Sequence, residues 1–90
     1  LGALTVTSAA GTASGQTKLT VSGNEGDLMV KVGAQPVAVK PGMKPNSKWT
    51  AYTSGSDLTA ATGTYATVVE VDDFGKVVAA GSAAVTANGG

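Results

Sequence analysis

Apolar and polar residues alternate with period two over much of this chain, and the alternation breaks repeatedly on Gly, Pro, Asn and Asp. Successive side chains of a strand point to opposite faces of a sheet, so this pattern predicts a series of short, half-buried strands. Leu4 to Ser8 predicts the first, with Leu4 and Val6 inward. Ala9 to Gly15 is small and Gly-rich and predicts a loop. Gln16 to Ser22 predicts a two-sided strand, with Thr17, Leu19 and Val21 inward and Lys18, Thr20 and Ser22 outward. Gly23-Asn24-Glu25-Gly26 is a turn signal. Asp27 to Val32 follows with Leu28, Val30 and Val32 inward and Met29 and Lys31 outward.

Beyond Pro36, Val37 to Val39 predicts a short strand, placed at an edge because proline cannot donate to a ladder. Lys40 to Lys48 holds Pro41, Gly42 and Pro45 and predicts a loop. Trp49 to Thr53 is strand-like; Trp49 is assigned to the core of the sandwich, and Tyr52, of opposite parity, to the surface. Ser54 to Gly63 predicts a loop with a brief turn, from which Leu58 plugs the core.

The longest strand signal is C-terminal. Thr64 to Ala87 predicts a hairpin about the turn Asp72-Asp73-Phe74-Gly75. In its second arm Val78 and Ala80 have one parity and Ala83 and Val85 the other, which predicts a bulge near Gly81. The expected fold is all-β: an immunoglobulin-like β-sandwich of about six to seven short antiparallel strands. It is expected to span residues 1–87 as one domain, with 88–90 as a flexible tail. Leu1 is not a Met and follows no basic stretch, so the chain reads as a fragment, a processed product or a trimmed piece.

Composition narrows the chemistry. With neither Cys nor His, the chain lacks the thiolate and imidazole that serve most often as metal ligands, nucleophiles and general bases. An enzyme is therefore not expected, and no cofactor or metal is assigned. Six Lys spread along the chain balance six acidic residues, so no basic stripe forms and nucleic acid is not expected as a partner. No apolar run approaches the roughly 20 residues of a membrane helix. Charged residues make up 13% of the chain, about half the usual share. A surface of Thr, Ser, Gly and Ala suits a module fixed to a larger structure or strung in an array.

Three clusters carry candidate chemistry. Glu70, Asp72 and Asp73 offer carboxylates at the hairpin tip, but without a calcium-loop spacing they read as turn residues. Lys18 and Lys31 lie on outward faces, which argues against an internal isopeptide bond. Met43, Trp49 and Tyr52 offer an aromatic platform for a sugar or protein. With Trp49 assigned to the core, the expected partner-binding surface is Met43, Lys44 and Tyr52.

Several segments together resemble a known family: S-G-Q-T-K-L-T-V at Ser14–Val21, K-V-G at Lys31–Gly33, W-T-A at Trp49–Ala51, G-S-D-L-T-A-A-T-G at Gly55–Gly63, and the hairpin from Val68 to Ala83. The pattern resembles small β-sandwich domains of tailed-bacteriophage virions, of the head-fibre or capsid-decoration type, also found as repeats in bacterial surface proteins. The resemblance implies a non-enzymatic domain on a virion surface, with capsid or other virion proteins as partners and a homo-oligomer such as a trimer. The alternative is an immunoglobulin-like module of a bacterial or phage surface protein that binds carbohydrate or cell surface.

Overall fold

The structure, a computed structural model, describes residues 2–23 and 26–89. Asn24 and Glu25 of the first predicted turn, together with Leu1 and Gly90, lie outside the described residues. Eight strands form among them, in two sheets. β1 (Gly2–Ala3), β8 (Val77–Ala84), β7 (Tyr65–Val71), β4 (Asp27–Gly33) and β5 (Thr50–Tyr52) make a five-stranded sheet in that order. β2 (Thr5–Ala10), β3 (Gln16–Ser22) and β6 (Asp57–Thr59) make a three-stranded sheet. The all-β sandwich of the sequence reading is therefore present, with one parallel pair, β1 against β8, among antiparallel neighbours.

Between the sheets lies the core that the alternation marked: Leu4, Leu19, Val21, Leu28, Val30, Ala66, Val68 and Val85 among others. Leu19, Ala66 and Val68 are fully buried. Thr17, also inward, keeps its hydroxyl satisfied by donating to Ala9 O at 2.8 Å. β7 is buried from Ala66 to Val71 on both parities, the pattern of a strand covered on both faces.

The cover on the second face is the segment 34–49. It packs Val37, Val39, Met43 and Trp49 onto Met29, Val69, Val71, Val77 and Ala80, forming a second apolar cluster on the outer side of the five-stranded sheet. Val37 N–H donates to Thr67 Oγ1 at 2.9 Å, and Val77 N–H donates to Met43 O at 2.8 Å. The segment is thus fastened at both ends of its crossing.

This second cluster revises several expectations. Val37 to Val39 forms no strand; its two valines bury against a sheet face rather than extending an edge. Trp49 is buried, at 7% exposure, but in the outer cluster rather than between the sheets. The bulge falls between Glu70 and Val71, where Val78 is the extra residue, and not at Gly81. No inversion is needed at Gly81, because Ala80 buries outward while Ala79 and Val85 bury inward. Leu58 lies on β6 where a loop was expected, and half-buried it packs on the inter-sheet core. β2 runs to Ala10, two residues into the predicted loop, because Ala9 and Ala10 pair with Lys18 and Thr17.

The chain changes sheets at Leu4. Its N–H donates to Ala80 O at 2.9 Å, so the backbone leaves β1 beside β8 and enters β2 beside β3. Asn88, set with the tail in the sequence reading, is tied to the body: its N–H donates to Gln16 O, its carbonyl accepts from Gly15 N–H, and its side-chain amide donates to Gly11 O.

Candidate functional site

Every titratable or aromatic group singled out in the sequence has a definite place in this frame. At the hairpin tip, Asp72 Oδ1 accepts from Phe74 N–H at 2.9 Å and from Lys76 N–H at 3.0 Å. The turn closes with Gly75 N–H on Asp72 O at 3.0 Å, and Gly75 takes φ +77°, a conformation that glycine adopts without steric cost. The bond from Lys76 N–H, reinforced by that from Phe74 N–H, holds the Asp72 carboxyl below its usual range. Glu70 points inward and accepts from Gly26 N–H at 2.6 Å. Glu70 and Asp72 are thus directed at backbone donors, and no metal-holding group of acidic residues forms among the described residues.

Asp57 plays the same part at the other end of β3. Its Oδ1 accepts from Thr12 N–H at 2.9 Å, which lowers its pKa. Both aspartates favour the folded state while ionised. Because their folded pKa values are depressed, their contribution is full above the unfolded carboxylate range, about pH 4, and is lost as pH falls through the folded values. Asp57→Asn and Asp72→Asn should therefore each lower stability at neutral pH and flatten the acid limb of a stability–pH curve measured by urea denaturation, the variants converging on the wild type at low pH.

Tyr52 is half-buried, packed against the inter-sheet core. β5 pairs Tyr52 with Leu28, which sets the ring on the inter-sheet face. Its hydroxyl accepts from Leu19 N–H at 2.9 Å and donates toward Ser56 O at 2.6 Å, with Leu19 O at 3.2 Å. Ser54 repeats the device one step on: its Oγ accepts from Val21 N–H at 2.9 Å. β6 pairs only with Gln16 to Lys18, so the rest of the β3 edge has no strand beside it. The β5–β6 connection fills that place with two side-chain hydroxyls and with Gly55 N–H on Leu19 O. Backbone groups that would otherwise be an open edge are paired.

Tyr52→Phe removes the hydroxyl that accepts from Leu19 N–H and leaves that donor unpaired, which should cost about 1–3 kcal/mol by chemical denaturation. Burial, the largest influence, raises the Tyr52 pKa. The neutral phenol is the form the fold favours, so this contribution is full below about pH 10 and is lost as pH rises through the folded value. The wild type should lose stability in that alkaline window more steeply than Tyr52→Phe.

Met43, Lys44 and Tyr52 therefore do not form one surface. Met43 is half-buried in the outer cluster, Lys44 is exposed on the covering segment, and Tyr52 belongs to the opposite face of the sheet. The aromatic platform is not assembled either, since Trp49 and Tyr52 pack into different clusters. The large apolar side chains left exposed are Phe74, at 80%, Val78, at 43%, and Tyr65, at 37%. The sequence reading took Phe74 only as part of a turn. A large ring among Asp72, Asp73 and Gly75 has no strand parity with which to bury, and that was the available signal.

The two ends of the sandwich differ. The β7–β8 turn and Asp27 place charge at one end. The other end is built from residues 9–16, 61–65 and 85–89, which carry no charge of their own; the Asp57 carboxylate sits at its side, on Thr12 N–H. β1 runs parallel to β8 and pairs with its beginning, so the chain comes in beside the β7–β8 turn; it leaves past Asn88 at the opposite end. The longest dimension is 37 Å.

Comparison with known proteins supplies the context. A family model described as the S-layer protein SbsC C-terminal domain matches residues 9–88. The crystal structure of the S-layer protein SbsC, domains 7, 8 and 9, is similar at a TM-score of 0.75 and 28% identity, over 89% of this chain and 26% of that one. The chain thus spans about a quarter of the length of that structure. No curated protein matches it. These findings overturn the expected kinship with phage virion proteins; the alternation and turns behind that resemblance are shared by many sandwiches and do not distinguish a virion from a cell surface. The chain belongs to the S-layer protein SbsC C-terminal domain family.

Proposed function

We propose that this chain is one structural domain of a bacterial surface layer and serves there as a spacer in a row of similar domains. The observation that carries the reading is the family match over residues 9–88, supported by a similar structure that holds domains 7, 8 and 9 in one chain. The fold suits the task. The chain comes in at one end of the long axis and leaves at the other, so consecutive domains can continue in line. Both faces of the five-stranded sheet are covered, and among the described residues no buried side-chain polar atom lacks a hydrogen bond. Such a body transmits position without needing an active site. Its place is outside the cell, on the surface, and its work is structural.

The test is a deletion. Removing residues 9–88 from the whole polypeptide should shorten it by about the domain's 37 Å length in small-angle scattering, and should shift the height of reassembled layers in electron micrographs. Unchanged length and height would mean that the domain hangs to the side and spaces nothing.

A further inference from the structure

We propose that Phe74 anchors a head-to-tail contact between copies of this domain, its ring seating in the uncharged recess at the opposite end, between Gly15, Ala61, Thr62 and Ala87. The inference rests on the spacer reading and deepens it by naming the joint.

Phe74 is the chain's only phenylalanine, and it is spent on solvent. A lone exposed apolar residue is ordinary, but this one is held out on a fixed turn. Asp72 Oδ1 accepts from its N–H, and the same oxygen accepts from Lys76 N–H, so the backbone beneath the ring is already ordered. An anchor that is ordered beforehand loses little freedom on binding.

The recess is a shallow hollow of about 460 Å³ formed where three connections meet: before β3, before β7 and after β8. Its lining is Ser, Thr, Asn, Ala and Gly, with no charge to strip of water when a ring enters. Its floor is fixed by Ala87 N–H on Thr62 Oγ1 at 3.0 Å and by Gly15 N–H on Asn88 O at 3.0 Å.

The course of the chain selects the partner. It comes in with β1 beside the β7–β8 turn and leaves past Asn88 at the recess, so in a row of domains the tip of one copy faces the recess of the next. The contact is therefore heterologous, and because the two patches lie at opposite ends of the molecule it propagates in a line rather than closing into a ring. That is the arrangement a spacer row requires. A single ring covers far less than a standard interface, so free copies associate weakly and the contact tightens only when domains are tethered.

The experiment uses the 90-residue chain and two exposed positions whose replacement spares the fold. In sedimentation velocity up to about 1 mM, the range of a weak contact, the wild type should show a steadily rising weight-average size without a plateau at the dimer. In NMR over the same range, resonances of Phe74 and of Gly15, Ala61, Thr62 and Ala87 should shift together. Phe74→Ser removes the anchor, and Ala61→Glu sets a negative charge before the acidic tip; each alone should stay monomeric. Mixed, they retain one intact tip and one intact recess and should form a dimer that grows no further. A wild type without concentration dependence, variants that associate like the wild type, or a mixture that stays monomeric would each overturn the contact. None of these outcomes bears on the deletion experiment, so the spacer reading stands or falls separately.

Discussion

Replacing Gly81 with alanine should lower stability by about 3 kcal/mol, at the upper end of overpacking losses. Gly81 sits in the middle of β8, opposite Val68, on the face where the chain passes from β1 to β2. A Cβ there would overlap the carbonyl oxygen of Leu4 and lie 3.0 Å from both Leu4 C and Val6 Cγ2. The neighbour that must yield is mainly backbone, which cannot rotate away as a flexible side chain would. That backbone also carries the bond from Leu4 N–H to Ala80 O, so relief of the overlap loosens the crossover and the β1–β8 pairing together. For a domain of this size the loss corresponds to a fall of about 12–24 °C in Tm. Differential scanning calorimetry of Gly81→Ala beside Ser82→Ala, an exposed neighbour, checks it: the first should fall by that amount and the second by little. Equal behaviour would show that the crossover does not depend on the close approach.

Trp49→Ala should be comparably damaging, by about 3–5 kcal/mol, from a buried aromatic lost with incomplete collapse. The ring belongs to the cluster that closes the outer face, with Val69, Val71 and Val77 beneath it and Met29, Val37, Val39 and Met43 around it. Removing it exposes the outward side chains of β7 and frees the segment 34–49, which has no strand of its own to hold it. As the chain has one Trp, its fluorescence reports on that cluster alone. Emission should be blue-shifted in the folded state and move red when the segment is displaced. In Trp49→Ala, amide exchange should rise from 34 to 48 and along the outward residues of β7 before it rises in the inter-sheet core. Uniform loosening of both clusters would contradict the separation of the two faces.

The strands with one covered face were legible in the sequence. In β3 the inward set Thr17, Leu19 and Val21 follows from alternation alone, and the structure keeps its limits at Gln16 and Ser22. Alternation stops being informative where both faces are covered. Parity then no longer separates inside from outside, which is why Trp49 and Tyr52 were assigned to the wrong sides and why a bulge was sought at Gly81. The run from Ala66 to Val71 was the visible hint, since a strand with one wet face has no reason to be apolar on both parities. The Gly81 contact and the β3 edge closed by Tyr52 and Ser54 join residues far apart in the chain, and nothing local announces them. The function was less legible still. Low charge and the lack of a reactive set pointed to a structural module, but scaffold residues alone do not distinguish one kind of surface assembly from another.

The central claim, that this domain is part of a cell-surface layer, is tested most directly by immunogold electron microscopy of intact cells with an antibody raised against the 90-residue chain. Gold on the outer surface in register with a two-dimensional lattice is the predicted result. Label confined to the cell interior, or carried on phage particles and absent from the lattice, would contradict it.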